Sequence, residues 1–238
     1  EKILDYCASR EERIGILEDF DNYILRLKDQ CAKAEEVLRQ STARLTKIRK
    51  KQAKILEEAI KEGLKDLNFE NVKFRIQFES TKDYTAEGMD DIEFMISLNP
   101  GQPVKPLAGV ASGGELSRIM LAIKTVMAKR DDIETLIFDE IDVGISGRTA
   151  QKVSEKMALI GKKHQVICIT HLAQIAAMAD HHYMIEKSTK KGDTKTSIEL
   201  LDEKRSIEEL ARILGGAKIT DTVVQSAVEM KELAKQTK

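Results

Sequence analysis

The stretch Leu136-Ile137-Phe138-Asp139-Glu140 places three apolar residues directly before two acidic ones. A second apolar run, Val166-Ile167-Cys168-Ile169, leads into Thr170-His171 further along the chain. Helical patterns at about 115–129 and 147–160 alternate with these runs. Short, continuously apolar runs that alternate with helices are typical of parallel strands buried on both faces. The stretch therefore predicts an α/β fold with an acidic pair at the carboxyl end of a strand.

Polar side chains at such strand ends lie where open α/β sheets bind ligands. The first acid, Asp139, suits Mg²⁺ held near phosphates, and Glu140 suits the orientation or deprotonation of a water molecule. His171 could contact a phosphate, because a neutral imidazole both donates and accepts hydrogen bonds. Each signal is weak alone, since an apolar-Asp-Glu is an ordinary strand exit about half of the time. A lone His at a strand end is also more often structural.

A serine-glycine turn, Ser112-Gly113-Gly114, stands immediately before the first of the two helical patterns. Free backbone N–H groups at a helix start, glycines that allow close approach and a hydroxyl group together suit an anion. Taken alone, a glycine-rich loop that ends in a serine-capped helix is the commoner explanation. The apolar face of that helix consists of Leu116, Ile119, Met120, Ile123 and Met127.

The pattern of apolar residues in 1–66 predicts a long coiled-coil helix. Apolar residues recur at alternating spacings of three and four over about six heptads, and no Pro interrupts them. Because one helix cannot bury such a seam by itself, the pattern requires a second strand. The seam residues are Leu17, Phe20, Ile24, Leu27, Cys31, Ala34, Leu38, Leu45, Ile48, Ile55 and Ala59.

A basic run on this helix contains no acidic residue. It could contact the phosphate backbone of DNA, in which case binding would depend strongly on salt. The solvated face of a coiled coil is the simpler interpretation. The run consists of Arg44, Lys47, Arg49, Lys50, Lys51 and Lys54.

A strand hairpin is predicted at 72–98, where apolar and polar residues alternate, with an acidic, exposed link from Asp83 to Asp91. All three prolines follow within residues 100–106 and predict an extended connector. A later hairpin and two helices close the chain. The first of these helices is predicted to open with a capping box, in which Ser206 is followed three residues on by Glu209.

Composition limits the function classes. Lys and Arg total 39 against 40 for Asp and Glu, a net charge of -1, so any basic site must be local. Cys7, Cys31 and Cys168 lie far apart, which argues against a disulfide framework or a structural zinc site and suits a cytosolic protein. His164, His181 and His182 lack partners at ligand spacing, so we interpret them as surface or packing residues. No apolar stretch approaches the length of a membrane span, and the start has neither Met nor a signal core, which suggests an expressed fragment.

In order and spacing, these segments resemble the C-terminal lobe of ABC-type ATPase heads: signature motif, Walker B, D-loop and switch histidine. Within that superfamily the match narrows to the RecN family of bacterial DNA repair proteins. Related chromosome-structuring ATPases usually have an Asp in the D-loop, where this chain has Val143-Gly144-Ile145-Ser146-Gly147. The matching segments are ASGGELSRIMLAIK (111–124), LIFDEIDVGISG (136–147), ITHLAQIAAMADHH (169–182) and ELARILGG (209–216).

The resemblance implies a coiled-coil arm at 1–66 and the C-terminal lobe of an ABC-type head at 67–238. That lobe would hold the signature helix at 112–129, the Walker B strand at 135–140 and the switch strand at 165–171. Two heads of this family sandwich two ATP molecules with Mg²⁺. Asp139 would hold Mg²⁺, Glu140 would polarise the attacking water, and His171 would report on the γ-phosphate. Ser112, Gly113, Gly114 and Glu115 would meet the nucleotide of the opposite protomer, with Asp142, Gly144 and Ser146 along the dimer seam.

The resemblance also implies partners. No G-x-x-x-x-G-K-[ST] motif occurs in the sequence, so an N-terminal half would supply the phosphate cradle and the returning coiled-coil helix. The chain alone is therefore expected to be inactive. The family assignment implies a cytoplasmic, nucleoid-associated ATPase that dimerises through its heads and acts on double-stranded DNA ends in break repair. The alternatives are a chromosome-structuring coiled-coil ATPase and a non-catalytic coiled-coil scaffold, whereas the long helix disfavours a transporter domain.

Overall fold

The structure, a computed structural model, describes residues 2–109, 112–128, 132–190, 193–216 and 218–238. Ala111 and Lys129, which fall at the ends of the predicted signature segment and helix, lie outside these ranges. The helices are α1 Lys2–Glu18, α2 Phe20–Lys65, α3 Gly113–Met127, α4 Gly147–Gly161, α5 Ala173–Ala177, α6 Glu203–Gly215 and α7 Asp221–Thr237. The strands are β1 Lys73–Thr85, β2 Gly88–Ser97, β3 Lys105–Pro106, β4 Thr135–Phe138, β5 Gln165–Cys168, β6 Tyr183–Lys190 and β7 Asp193–Leu200.

The chain packs as two compact units. The arm unit comprises Glu1–Ala53 and Phe78–Ile92, and the lobe unit comprises Lys54–Gln77 and Glu93–Lys238. Because α2 and the β1–β2 hairpin each run through both, the units do not divide at residue 66, where the sequence predicts the arm to end.

Within the arm unit, the predicted long helix is present. Helix α2 as a whole has 46 residues and would reach about 69 Å at the usual rise per residue. Most of the predicted seam is exposed here, including Phe20, Leu38 and Ile48. That exposure agrees with a seam that needs a second strand.

The tip of the β1–β2 hairpin is anchored to α2 by Asp90. Its carboxylate accepts hydrogen bonds from Thr46 Oγ1 at 2.7 Å and from Arg49 Nη1 at 3.0 Å, and its side chain is 7% exposed. The prediction of an exposed acidic link is therefore wrong for this residue. Burial alone would raise the pKa of Asp90, but the bonds from Thr46 and Arg49 and the nearby positive charges lower it below its ordinary value.

The core of the lobe unit lies where α2 ends against the hairpin base and α3. Ile60, Leu64, Phe74, Ile96 and Ile119 are all fully buried there. A Cβ on Gly63 of α2 would lie only 3.6 Å from Ala122 Cβ of α3, so these two helices pack closely. This packing fixes the helix that carries the serine-glycine turn.

The parallel pair predicted from the two apolar runs is confirmed. Strands β4 and β5 pair in parallel, with Thr135 opposite Gln165 and Phe138 opposite Cys168. The prediction that both faces are buried is wrong, because Phe138 is buried whereas Ile137, Ile167 and Ile169 are exposed. A continuous apolar run does not reveal whether anything covers its second face. The fold class is thus α/β, with a parallel pair, flanking helices and a long helix.

The C-terminal helices form a second core in the lobe unit, which includes Ala176, Leu210 and Ala227. Helix α6 starts three residues earlier than the predicted capping box, because Asp202 is the N-cap and accepts from Arg205 N at 2.8 Å. Ser206 lies inside the helix and is buried, so the capping-box prediction is wrong. Strands β6 and β7 form the predicted second hairpin.

Among the helices that the structure describes, none is long and apolar enough to span a membrane.

We expect Asp90→Asn to loosen the hairpin tip, because the substitution removes the charge that Arg49 pairs with inside a buried contact. The local free energy of opening should fall by about 1–3 kcal/mol. Hydrogen exchange of the backbone amides in 78–92 measures this change. Asp91→Asn is the control, since Asp91 is exposed, and equal exchange in the two variants would contradict the anchoring role.

Candidate functional site

The candidate site lies in the lobe unit at the carboxyl edge of β4 and β5. Since Phe138 pairs with Cys168 and Ile169 N donates to Phe138 O at 3.1 Å, the two chains leave the sheet side by side. Asp139 and Glu140 follow one strand, and Thr170 and His171 follow the other. The acidic pair is exposed rather than turned into the core.

The serine-glycine turn lies directly against this edge. A Cβ on Gly113 would collide with the carboxylate of Glu140, and a Cβ on Gly114 would lie 2.9 Å from the Glu140 carbonyl oxygen. Glycine at position 114 therefore lets the start of α3 approach the backbone of Glu140, whereas at position 113 the exposed Glu140 side chain could move aside. Ser112 caps α3, and its Oγ accepts from Glu115 N at 3.5 Å.

The backbone of Glu140 adopts an unusual conformation. Its φ of 57° lies in the left-handed region, which costs a residue other than glycine about 1–2 kcal/mol. Asp139 holds the adjoining backbone, since its Oδ1 accepts from Glu140 N at 2.9 Å and its carbonyl oxygen accepts from Ser117 Oγ at 2.9 Å. Such strain at a polar strand end is a feature that clusters at functional sites.

Asp142 joins the loops that follow the two strands. Its side chain is 3% exposed, and its Oδ2 accepts from Thr170 Oγ1 at 2.6 Å and from His171 N at 2.8 Å. His171 Nδ1 lies 3.0 Å from the same oxygen. Asp142 thus faces the interior, whereas a residue of a dimer seam would face solvent in a single chain. The other two residues predicted for that seam, Gly144 and Ser146, are exposed.

The Asp142 contact also orients the imidazole of His171, whose side chain is 71% exposed. A carboxylate only accepts hydrogen bonds, so we assign the proton to Nδ1. The Nε2 atom is then left for an external group.

Arg118 is a site residue that the sequence does not reveal. It is 7% exposed, and its Nη1 donates to the carbonyl oxygens of Val143 at 2.8 Å and Ile141 at 3.3 Å. Its guanidinium lies 5.6 Å from the centroid of the Phe69 ring. Burial lowers the pKa of Arg118, and the charge of Glu115 acts in the opposite direction. Arg118 lies opposite the apolar face formed by Leu116, Ile119 and Ile123, so helical periodicity predicts solvent exposure and gives no signal for its burial.

Cys168 lies beneath the same edge. Burial, followed by the negative charges of Asp142 and Asp139, raises the pKa of its thiol to about 12. The thiol is therefore protonated and unreactive at neutral pH, which makes it a packing group.

The remaining histidines differ in burial: His164 is buried, His182 is partly buried and His181 is exposed. His164 is buried, with Nδ1 2.7 Å from Ile133 O and Nε2 3.1 Å from Ala128 O. His182 Nδ1 lies 2.9 Å from Ser206 Oγ. Neither histidine belongs to the edge that carries the acidic pair.

The basic run belongs to α2, mostly in the arm unit. Arg49 is occupied by Asp90, and Lys50 Nζ lies 5.8 Å from the centroid of the Phe78 ring. The other members, Arg44, Lys47, Lys51 and Lys54, are exposed.

The site suits a magnesium-bound phosphate better than a bare metal. Over the described residues, no group of three His, Cys, Asp or Glu side chains could hold a metal ion. Asp139 is one exposed carboxylate, so most ligands of a Mg²⁺ ion would have to be phosphate oxygens and water. The start of α3, with its glycines and its hydroxyl group, fits an anion.

We expect Gly114→Ala to distort the site, because its Cβ would press on Glu140 O and on Val143 Cβ, the latter 3.1 Å away. The free energy of unfolding should fall by about 1–3 kcal/mol in urea denaturation. Gly161→Ala, at the end of α4, has nothing within 4 Å of its Cβ and is the matched control. If both variants are as stable as the unsubstituted chain, the close approach is not needed.

No family model matches the chain. It is 41% identical to the DNA repair protein RecN of Halalkalibacterium halodurans over 98% of this chain and 42% of the relative. It is 38% identical to RecN of Bacillus subtilis, over 100% of this chain and 44% of the relative. The chain thus spans less than half the length of these relatives.

Among solved structures, the Smc head domain with a coiled coil and joint from Pyrococcus yayanosii is similar with a TM-score of 0.48 and 21% identity. That match covers 68% of this chain and 29% of the other. This chain belongs to the RecN family of DNA repair proteins, whose C-terminal region it matches.

Proposed function

We propose that this chain is the C-terminal half of an ATPase that acts in DNA double-strand break repair through ATP-driven dimerisation of its heads. The observation that carries the proposal is the contact between the serine-glycine turn and the acidic pair. Gly113 and Gly114 lie against Glu140, and Asp142 ties the same loop to His171. Three segments that are distant in sequence therefore meet at one strand edge.

In the proposed reaction, Asp139 binds Mg²⁺ that is carried by the nucleotide, directly or through water. Glu140 orients the water that attacks the γ-phosphate. His171 contacts the γ-phosphate through Nε2; because phosphate oxygens only accept hydrogen bonds, the ring then carries a proton on both nitrogens, with Nδ1 donating to Asp142.

The signature residues Ser112, Gly113, Gly114 and Glu115 act in trans on the nucleotide of the second head. Their backbone N–H groups at the start of α3 suit a phosphate. Gly144 and Ser146 face the second head, whereas Asp142 acts from beneath as the support of His171. The phosphate cradle comes from an N-terminal half that carries the G-x-x-x-x-G-K-[ST] motif.

Two alternatives stay open. A chromosome-structuring coiled-coil ATPase would use the same edge, and the D-loop sequence Val143–Gly147 favours a break-repair protein instead. A non-catalytic scaffold would have no use for a strained Glu140 or for a buried Asp142 that orients His171. The strain and the orientation therefore favour a catalytic protein.

We expect ATP hydrolysis to appear when this chain is combined with the N-terminal half of the same protein, because the phosphate cradle and the water-orienting carboxylate are then in one head. Glu140→Gln should lower the rate about 10²–10⁴-fold. Release of phosphate from Mg²⁺-ATP, with and without linear DNA, measures this activity.

The matched control is Glu134→Gln, because Glu134 is an exposed acidic residue just before the start of β4. It should leave the rate unchanged. No gain in hydrolysis over either half alone, or a Glu140→Gln variant of normal rate, would contradict the ATPase proposal.

The exposed lysines of the basic run are a candidate contact for the DNA backbone. Lys50 and Lys51 lie three and four residues after Lys47, so both can share a face of α2 with it. The absence of acidic residues between Arg44 and Lys54 leaves their charges uncompensated along the helix.

We expect Lys50→Ala combined with Lys51→Ala to weaken binding to duplex DNA, because two phosphate contacts are lost. The slope of log affinity against log salt concentration should fall in magnitude by about two. Fluorescence anisotropy with labelled duplex at several salt concentrations measures both quantities. Lys28→Ala combined with Lys33→Ala, at exposed positions of the same helix, is the control; equal losses in both pairs would remove the specific contact.

A further inference from the structure

A cavity of about 420 Å³ lies in the lobe unit, away from the acidic pair. Helices α5, α6 and α7 and the turn before β6 surround it. Neither the ATPase proposal nor the basic run of α2 uses its side chains. Its polar lining includes Asp180, His182, Asp202, Glu203, Ser206 and Lys231.

The inner wall of the cavity is polar. Ser206 is 3% exposed, and its hydroxyl lies 2.9 Å from Nδ1 of His182. Burial, and then the charge of Lys231, lowers the pKa of His182, so its ring is neutral at pH 7. A hydroxyl and a neutral imidazole give the cavity groups that can both donate and accept.

The acidic groups of the lining already have donors. Glu203 pairs with Lys235, and Asp180 pairs with Lys238. Asp202 accepts from Arg205 N as the N-cap of α6. The charges of Glu203 and Asp180 also reach Lys231 and raise its pKa, but burial and the charges of Lys238 and Lys235 have the larger effect.

Lys231 differs from the other two lysines of the lining. In the part of the chain that the structure describes, it forms no ion pair or hydrogen bond, although its side chain is half-buried. Burial, together with the charges of Lys238 and Lys235, lowers its pKa. A half-buried ammonium group without an acceptor is costly, and an anion in the cavity would remove that cost.

We propose that this cavity binds a phosphate group, with Lys231 as its charge partner and with Ser206 and His182 as its hydrogen-bonding floor. Donors that converge from α6, α7 and the turn before β6 suit a tetrahedral oxyanion with several acceptor atoms. A volume of about 420 Å³ is also larger than a single ion requires and accommodates a small phosphate monoester.

The test is an NMR titration of the 238-residue chain with inorganic phosphate and with ribose 5-phosphate, in which the imidazole resonances of His182 are followed. Both probes should shift these resonances in a saturable way. Lys231→Met should weaken binding about tenfold or more, because a charge-assisted hydrogen bond is lost. Lys231→Arg keeps the charge and should retain most of the affinity.

Lys204→Met is the matched control, since Lys204 lies on α6 but its side chain is 86% exposed and outside the cavity lining. Absence of any shift at His182, or equal weakening by Lys231→Met and Lys204→Met, would overturn the proposal. A short duplex DNA that displaces ribose 5-phosphate in a Lys231-dependent way would support the site and identify the DNA backbone as the source of the phosphate. Binding of ribose 5-phosphate that duplex DNA does not disturb would support it with a free monoester as the source.

Discussion

The buried carboxylate of Asp142 is the interaction on which the candidate site depends. It accepts hydrogen bonds from both Thr170 and His171, and so joins the loop after β4 to the loop after β5. Neither strand is long, and their four paired positions alone do not determine how the loops beyond them are arranged. Separation of the loops would leave a buried carboxylate without its donors, at a cost of several kcal/mol in folding free energy. This cost keeps the two loops together.

Arg118 supports the same loop from the opposite side. Because its guanidinium binds the carbonyl oxygens of Ile141 and Val143, the support acts on the backbone and not on the side chains of the loop. The stacking of Arg118 on Phe69, just beyond the end of α2, extends this support to the base of the long helix. This support does not depend on the exposed side chain of Val143, whereas Gly144 adopts a φ of 75° that favours glycine and Ile145 packs against the core.

The sequence predicts the positions of this site better than their surroundings. The apolar runs before Asp139 and Thr170 are strong signals, and the parallel pairing that follows from them brings Glu140 and His171 to one edge. Burial is predicted less well, because a residue type does not reveal which way its side chain points. Asp90, Asp142 and Arg118 are charged residues that would be expected in solvent, yet each is buried by a specific partner. Ile137 and Ile167 show the opposite error: the apolar runs predict that they are buried, but both are exposed. An apolar run does not reveal what covers it.

The fixed spacing between the end of β4 and Asp142 has a consequence for how this region can evolve. Phe138 points into the core, and only three residues separate it from Asp142, which must also point inward. The residues between them form a turn, so one inserted or deleted residue would shift the Asp142 carboxylate away from Thr170 and His171. A substitution of the exposed Val143 side chain should change the folding free energy less, because Arg118 binds main-chain atoms of the loop. In related proteins we therefore expect substitutions in the loop after β4 but a constant loop length. Insertions and deletions should occur in the surface turns instead.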